Sequence, residues 1–332
     1  MKVEKVRVSL GSASVLGLVP QKFKVLPSTC YIMTYISGKC SANCSFCPQS
    51  RSSKSTSNKL SRVTWPEFHF KQFLTKLSYL KPSERFKRIC IQTLNYPNFF
   101  NDLVYIVKSI KDKVRIDISI AIPPISKDKL HELKSLGVER VGIALDAASK
   151  EIFRKVKGDL VKGFYKWEDH FNGLNEALKI FPNGVSTHII IGLGESQEDV
   201  INLLIKLKKL NILPSLFAFT PIKGTQLEYE AKPTIEDYRK LQLSRYLIFE
   251  DNRSLDDFTF NSKGKIVNIN ICKSNLYSII EKSKPFQTLG CPNCDRPFYT
   301  SSPSGPFYNF PRKLNKDARE EIYSNLVRIV NF

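Results

Sequence analysis

Three cysteines, Cys40, Cys44 and Cys47, fall within eight residues at the spacing C-x3-C-x2-C. Thiolates are soft ligands, and a triplet this tight lets one loop wrap a single iron–sulfur cluster. Three thiolates serve three irons of a four-iron cluster and leave the fourth iron open. An open coordination position marks a metal centre that does chemistry. A structural zinc site is the plainer reading, but zinc wants four closed ligands. The next histidine and cysteine along the chain, His69 and Cys90, are well outside the loop. A disulfide is the other plain reading. Residues 1–8 alternate charge with valine and carry no export-type apolar run, so eight cysteines point to metal before disulfides.

A second group of thiols lies far downstream. Gly290-Cys291-Pro292-Asn293-Cys294 presents a C-x2-C pair, a half-site for zinc or for iron–sulfur, with Cys272 upstream. Setting the first triplet aside leaves Cys90, Cys272, Cys291 and Cys294 as candidate ligands of a second centre, and Cys30 over.

Elements must hold these groups in place. Residues 30–36 form a buried-strand pattern that runs straight into the first cysteine loop. Further strand patterns follow at 88–93, 114–122, 138–145, 185–193 and 213–220. Helical patterns lie between them, at 98–111, from Ser126 to Gly137, across 149–181 with a break near Gly158, and at 197–210. A helix capped by Thr234 follows the last strand. Thr64-Trp65-Pro66-Glu67 reads as a capping box opening a helix with Phe70, Phe73, Leu74 and Leu77 on one face. Six alternations of strand and helix predict a parallel sheet and a partial (β/α)6 TIM-like barrel. The first cysteines then sit at the carboxyl rim, where such folds build active sites. The expected organisation is an N-terminal cap over 1–26, the barrel over 27–255, and an irregular C-terminal cover over 256–332 that carries the downstream cysteines.

The 332 residues carry a formal charge of +20, with 42% hydrophobic residues. A field of that sign draws in an acidic partner. The densest basic groups are Lys206-Leu207-Lys208-Lys209 and the loop 51–62. Neither interleaves aromatics in the manner of a nucleic-acid surface, so nucleic acid is not the expected partner. A solvated surface of the thermophile type accounts for the same charge. Apolar runs such as 189–193 are strand-length, so no membrane span is expected, and the location is read as cytoplasmic.

The cysteine loop resembles the signature of the radical S-adenosylmethionine (SAM) superfamily. That resemblance implies a 4Fe–4S cluster whose open iron binds SAM, and a 5′-deoxyadenosyl radical on reduction. Phe46 matches the family position that packs on the adenine. Over 22–250 the chain looks more narrowly like biotin synthase, through Cys40 to Arg51, the strand bearing Cys90, Ala144-Leu145-Asp146, Ile190-Ile191-Gly192-Leu193-Gly194-Glu195 and Pro221-Ile222-Lys223-Gly224-Thr225. By that likeness Asp146 contacts the SAM ribose or the substrate; the plainer reading is a cap on the following helix. Gln92 and Thr93 stand where the family binds the methionine amino group, without the usual Gly-Gly-Glu. Gly192 and Gly194 let backbone approach the adenine, or simply make a tight turn.

Biotin synthase lines its barrel with more cysteines than Cys90; here Ser119 and Thr187 or His188 take their places, and His188 reads first as a core histidine. With the Gly-Cys-Pro-x-Cys-x-Arg-Pro-Phe-Tyr tail, the chain looks like one partner of the archaeal two-component lipoyl synthases. That likeness implies a second, auxiliary 4Fe–4S cluster as sulfur donor, and a sulfurtransferase acting at C6 or C8 of an octanoyl chain. It implies as partners an octanoylated lipoyl carrier domain or H-like protein, a low-potential electron donor and a second synthase component. The alternatives are sulfur insertion into a free small molecule, as by biotin synthase, or a radical SAM enzyme that modifies tRNA.

Overall fold

The computed structural model describes residues 3–81, 86–299 and 305–331. The chain runs β1 (Lys5–Val8), α1 (Leu10–Val15), β2 (Thr29–Thr34), the hairpin β3 (Lys59–Leu60) and β4 (Val63–Thr64), β5 (Glu67–His69), α2 (Phe70–Ser78), β6 (Arg88–Gln92), α3 (Phe99–Lys111), β7 (Asp117–Ala121), α4 (Lys127–Ser135), β8 (Val138–Gly142), α5 (Lys150–Val156), α6 (Trp167–Ile180), β9 (Val185–Ile191), α7 (Gln197–Lys209), β10 (Leu213–Ala218) and α8 (Ile235–Glu250). It continues with β11 (Phe258–Phe260), β12 (Ile266–Cys272), α9 (Lys273–Lys282), α10 (Arg296–Tyr299), α11 (Lys316–Leu326) and β13 (Val330–Asn331).

The main sheet has eight strands in the order β10-β9-β8-β7-β6-β2-β1-β5. From β2 to β10 the six strands are neighbours and parallel, the expected partial (β/α)6 barrel. The N-terminal segment extends the sheet: β1 pairs antiparallel with β2 on one side and with β5 on the other. This corrects the helix start at Thr64. Val63–Thr64 is a strand, and Glu67–His69 satisfies the open edge of β1, so the helix begins only at Phe70. The C-terminal cover holds a small sheet of its own, in the order β11-β12-β13. Residues 300–304 of the Ser-rich tail lie outside the described residues.

Side chains alternate across each strand. Cys30 and Ile32, Ile89 and Ile91, Ile118 and Ile120, and Ile189 and Ile191 face the helices and belong to the main apolar core. The other set lines the concave side, and register brings its members level. Tyr31 lies beside Cys90, and Cys90 beside Ser119; one layer up, Met33 lies beside Gln92, and Gln92 beside Ala121. Hydrophobic residues therefore build the outer layer, and the residues with chemistry are left on the inner wall.

Candidate active site

The cysteine loop leaves the carboxyl end of β2 and is pinned by backbone bonds. Cys40 N–H donates to the Gln49 carbonyl (2.9 Å), Cys47 N–H to the Cys44 carbonyl (3.1 Å) and Ser45 N–H to the Val156 carbonyl (2.8 Å). Lys39 Nζ ties the loop further through the Pro48 carbonyl, 2.8 Å away. Asn95 N–H, just past β6, donates to Cys40 Sγ at 3.1 Å. All three thiols line one cavity of about 230 Å³. Burial raises the pKa of each, that of Cys47 to about 12; the nearby Lys157 ammonium works the other way on Cys44 and Cys40. The donor set fits an iron–sulfur cluster: three thiols from one loop, an amide N–H aimed at one sulfur, and a buried cation beside two of them. Iron ligation takes thiolates, so loading the loop releases protons.

Asp146 lies at the wall of the same cavity, in the left-handed backbone region (φ 65°). It does not cap the next helix; Ser149 does, its hydroxyl accepting from Ile152 N–H. Asp146 Oδ2 stands 2.8 Å from Lys157 Nζ, and both side chains are largely buried. Lys157 also donates to the Ala144 carbonyl (2.6 Å) and lies over the Tyr165 ring. Sequence reasoning missed Lys157. Its only signal was a lysine closing a helix that faces the cysteine loop.

Phe46 and Leu193 pack on one small apolar cluster of Ala147, Ile152, Phe153 and Val156. Glu195 folds back so that its carboxylate accepts from Gly192 N–H (2.6 Å) and Leu193 N–H (2.9 Å), and burial raises its pKa. Gly192 has φ +103° and could carry no Cβ, which would lie 2.8 Å from Pro233 Cδ. Gly194 has φ +108° in more open space. Gln92 reaches the cavity, its amide donating to Cys90 Sγ (3.0 Å) while its carbonyl accepts from Arg296. Thr93 also lines the cavity, but its hydroxyl is spent on the Ala121 carbonyl (3.0 Å).

The tail supplies a second set of thiols. Residues 291–296 enter the lower half of the barrel and are gripped by the inner wall. Arg88 Nε donates to the Pro292 carbonyl (3.1 Å), Thr29 Oγ1 to the Asn293 carbonyl (2.7 Å) and Tyr31 OH to Asp295 Oδ1 (2.6 Å). Cys90, Cys291 and Cys294 thereby become neighbours. Burial first, and then the other two thiols, raises Cys90; burial and Cys291 push Cys294 up to about 11. Ser186 Oγ lies 3.9 Å from Cys291 Sγ. Cys272 is not brought to this group. Its thiol sits at the end of β12, 3.0 Å from Ser274 Oγ, and its pKa is lowered by that hydroxyl. Cys30 faces the helix layer and is inert. All eight cysteines are free, and among the described residues no three metal-binding side chains close on a single ion. Thiols spread around a space are what a polynuclear cluster takes. Cys90 and Asn95 are five positions apart, so Cys90 lies at most about 18 Å from the residue whose N–H meets Cys40 Sγ.

The cavity wall also includes Met33, Leu94, Ile122, Phe217 and Arg296. His188 packs edge-on against Phe217; burial, then Arg296, lowers its pKa to about 3, so the imidazole is neutral.

The Radical SAM superfamily model matches residues 34–207, from the end of β2 into α7. The chain belongs to the radical SAM superfamily. Within that superfamily it is 31% identical over 200 residues to a biotin synthase of Methanococcus aeolicus, covering 59% of this chain and 57% of the relative. It is 28% identical over 213 residues to that of Clostridium tetani, covering 64% and 62%. The chain thus spans about three-fifths of the length of these relatives. In fold it is similar to the [FeFe]-hydrogenase maturase HydG of Carboxydothermus hydrogenoformans, with TM-score 0.51, 18% identity, and 72% of this chain and 54% of that one covered. It is likewise similar to methylornithine synthase (PylB), with TM-score 0.50, 18% identity, and 68% and 63% covered. Among the described residues no helix is long and apolar enough to cross a membrane.

Proposed function

We propose that this chain is a radical SAM sulfurtransferase of the lipoyl synthase type. It inserts sulfur into an octanoyl or mercapto-octanoyl chain borne by a lipoyl carrier domain or H-like protein. The observation that carries the reading is two thiol sets close together, one lining the apolar cavity and one behind its wall. Cys40, Cys44 and Cys47 line the cavity, and Cys90, with Cys291 and Cys294 near it, accepts from Gln92, whose side chain lines the cavity too. When bound, a rim cluster with SAM supplies a radical strong enough to take hydrogen from an unactivated carbon, and a lower cluster supplies sulfide.

The chain's own residues do the positioning. Lys157 holds Asp146 toward the cavity and sets a positive charge beside the rim thiols. Phe46 lines the cavity and shares an apolar cluster with Leu193 of the Gly192–Glu195 turn. Met33, Leu94, Ile122 and Phe217 form a dry slot for a hydrocarbon chain, keeping water and stray hydrogen donors from a reactive carbon. The neutral His188 fits this chemistry, which asks for no base.

The test is mass spectrometry of an octanoylated carrier after reaction with SAM and a low-potential electron donor, with and without a second synthase component. Addition of sulfur supports the reading. Cys291→Ser/Cys294→Ser should then abolish insertion and leave SAM cleavage. A second reading is favoured by Cys90 and the likeness to biotin synthases: sulfur insertion into a free small molecule. Insertion without any carrier decides for it.

A further inference from the structure

Two loops, residues 49–62 and 157–166, contribute Gln49, Leu60, Lys157 and Tyr165 to the cavity, and a third, residues 221–233, is fastened to the first. They are stitched into one surface. Lys54 N–H donates to the Gly224 carbonyl (2.7 Å), Gln226 Nε2 to Ser52 Oγ (2.9 Å) and Arg51 to the Lys162 carbonyl. Gly224 permits the close approach, since a Cβ there would lie 2.5 Å from Ser55 N. Outward, the same loops expose Lys54, Lys162, Lys223 and Lys232. None of these four is in an ion pair among the described residues. Of the acids in these loops, Asp159 pairs with Arg154 and Glu228 accepts from Gly224 N–H, which leaves the exposed Glu230 against the four lysines. Among the lysines stand three exposed apolar side chains, Leu160 (58% exposed), Phe164 (49%) and Tyr229 (93%).

The structure assigns these loops as the docking surface for an acidic protein domain that delivers its acyl chain on an extended arm. The inference rests on the proposed carrier-borne substrate and adds where and by what chemistry the carrier binds. Unpaired lysines around an apolar patch suit carboxylates surrounding a small hydrophobic contact. They steer encounter chiefly through the association rate. Loops 49–62 and 157–166, which carry Lys54, Leu160, Lys162 and Phe164, also line the cavity, so an arm from a domain docked on them has the slot within the same two loops.

The probe is an octanoylated acidic carrier domain, measured against the reconstituted protein by surface plasmon resonance across a salt series. Lys54→Glu/Lys162→Glu/Lys223→Glu/Lys232→Glu should slow association about tenfold or more at low salt and flatten the salt dependence. Leu160→Ser/Phe164→Ser should speed dissociation. Both variants should keep wild-type iron content, SAM cleavage, and kcat on a short octanoyl-lysyl peptide, while KM for the carrier rises. Unchanged association in the charge-reversed protein overturns the assignment, as does tight wild-type binding to tRNA with none to the carrier. Charge-sensitive carrier binding with no sulfur in carrier or peptide supports the docking surface and overturns the proposed activity, so the two fail separately.

Discussion

Lys157→Met tests the electrostatics of the cavity. Lys157 and Asp146 form a buried ion pair at 2.8 Å, with side chains 6% and 14% exposed, and Lys157 also satisfies the Ala144 carbonyl. Methionine fills nearly the same space but leaves the carboxylate and the carbonyl unpaired. Breaking a buried pair by removing one partner costs about 3–5 kcal/mol. Unfolding entropy of about 2.1 cal/mol/K per residue gives roughly 0.7 kcal/mol/K over 332 residues, so Tm should fall by about 4–7 °C. Asp146→Asn/Lys157→Met removes both charges and should be more stable than the sum of the singles by about 0.5–3 kcal/mol. Urea unfolding of the four proteins closes the cycle. Lys157 also lowers the proton affinity of Cys44 and Cys40, so Lys157→Met should retain less iron after anaerobic reconstitution. A Lys157→Met protein within 1 kcal/mol of wild type, or strict additivity in the double variant, would refute this account of the pair.

Three further outcomes are expected. Burial holds the pKa of His170 near 2 and that of His188 near 3, whereas the unfolded chain protonates near 6.5; the unfolded state thus binds more protons below that pH, and stability is lost as pH falls. The two together should cost roughly 2 kcal/mol between pH 6.5 and 5.5, and His170→Gln or His188→Gln should each remove about half of that slope in urea titrations. Gly192→Ala should cost about 1–3 kcal/mol, because its φ and the 2.8 Å approach to Pro233 both forbid a Cβ, while Gly194→Ala, with only φ against it, should cost less; equal urea midpoints for the two would contradict this. Tyr31→Phe strips a buried hydroxyl from Asp295, worth about 1–3 kcal/mol, and should raise hydrogen exchange at residues 291–296; unchanged protection there would show that the tail is held by other means.

The site was legible where its chemistry is local. Cys40, Cys44 and Cys47 declare themselves by spacing, because one loop must reach all three positions, and the strand running into them gives their place in a barrel. Period-2 alternation likewise marks the inner wall, since isoleucines take the helix side. What spacing cannot carry is who meets whom across the sheet. Grouping Cys272 with the tail rested on counting cysteines, and the thiol ends on a different small sheet. Lys157 escaped notice because it matters only once the end of α5 folds over the cysteine loop. Thr64-x-x-Glu67 misled because a capping box and a short strand share polar residues, and the open edge of β1 decided between them.

The Tyr31–Asp295 bond joins positions 264 apart in sequence. At roughly 5–20 residues per second, a ribosome takes about 15–50 s to make that stretch. During that interval the cysteine loop is already made, while the lower interior of the partial barrel waits without residues 291–296. The two thiol sets are therefore synthesised in a fixed order, Cys40, Cys44 and Cys47 long before Cys291 and Cys294. Until residues 291–296 arrive, Arg88 lacks its Pro292 partner and Cys90 lacks the neighbouring thiols of Cys291 and Cys294.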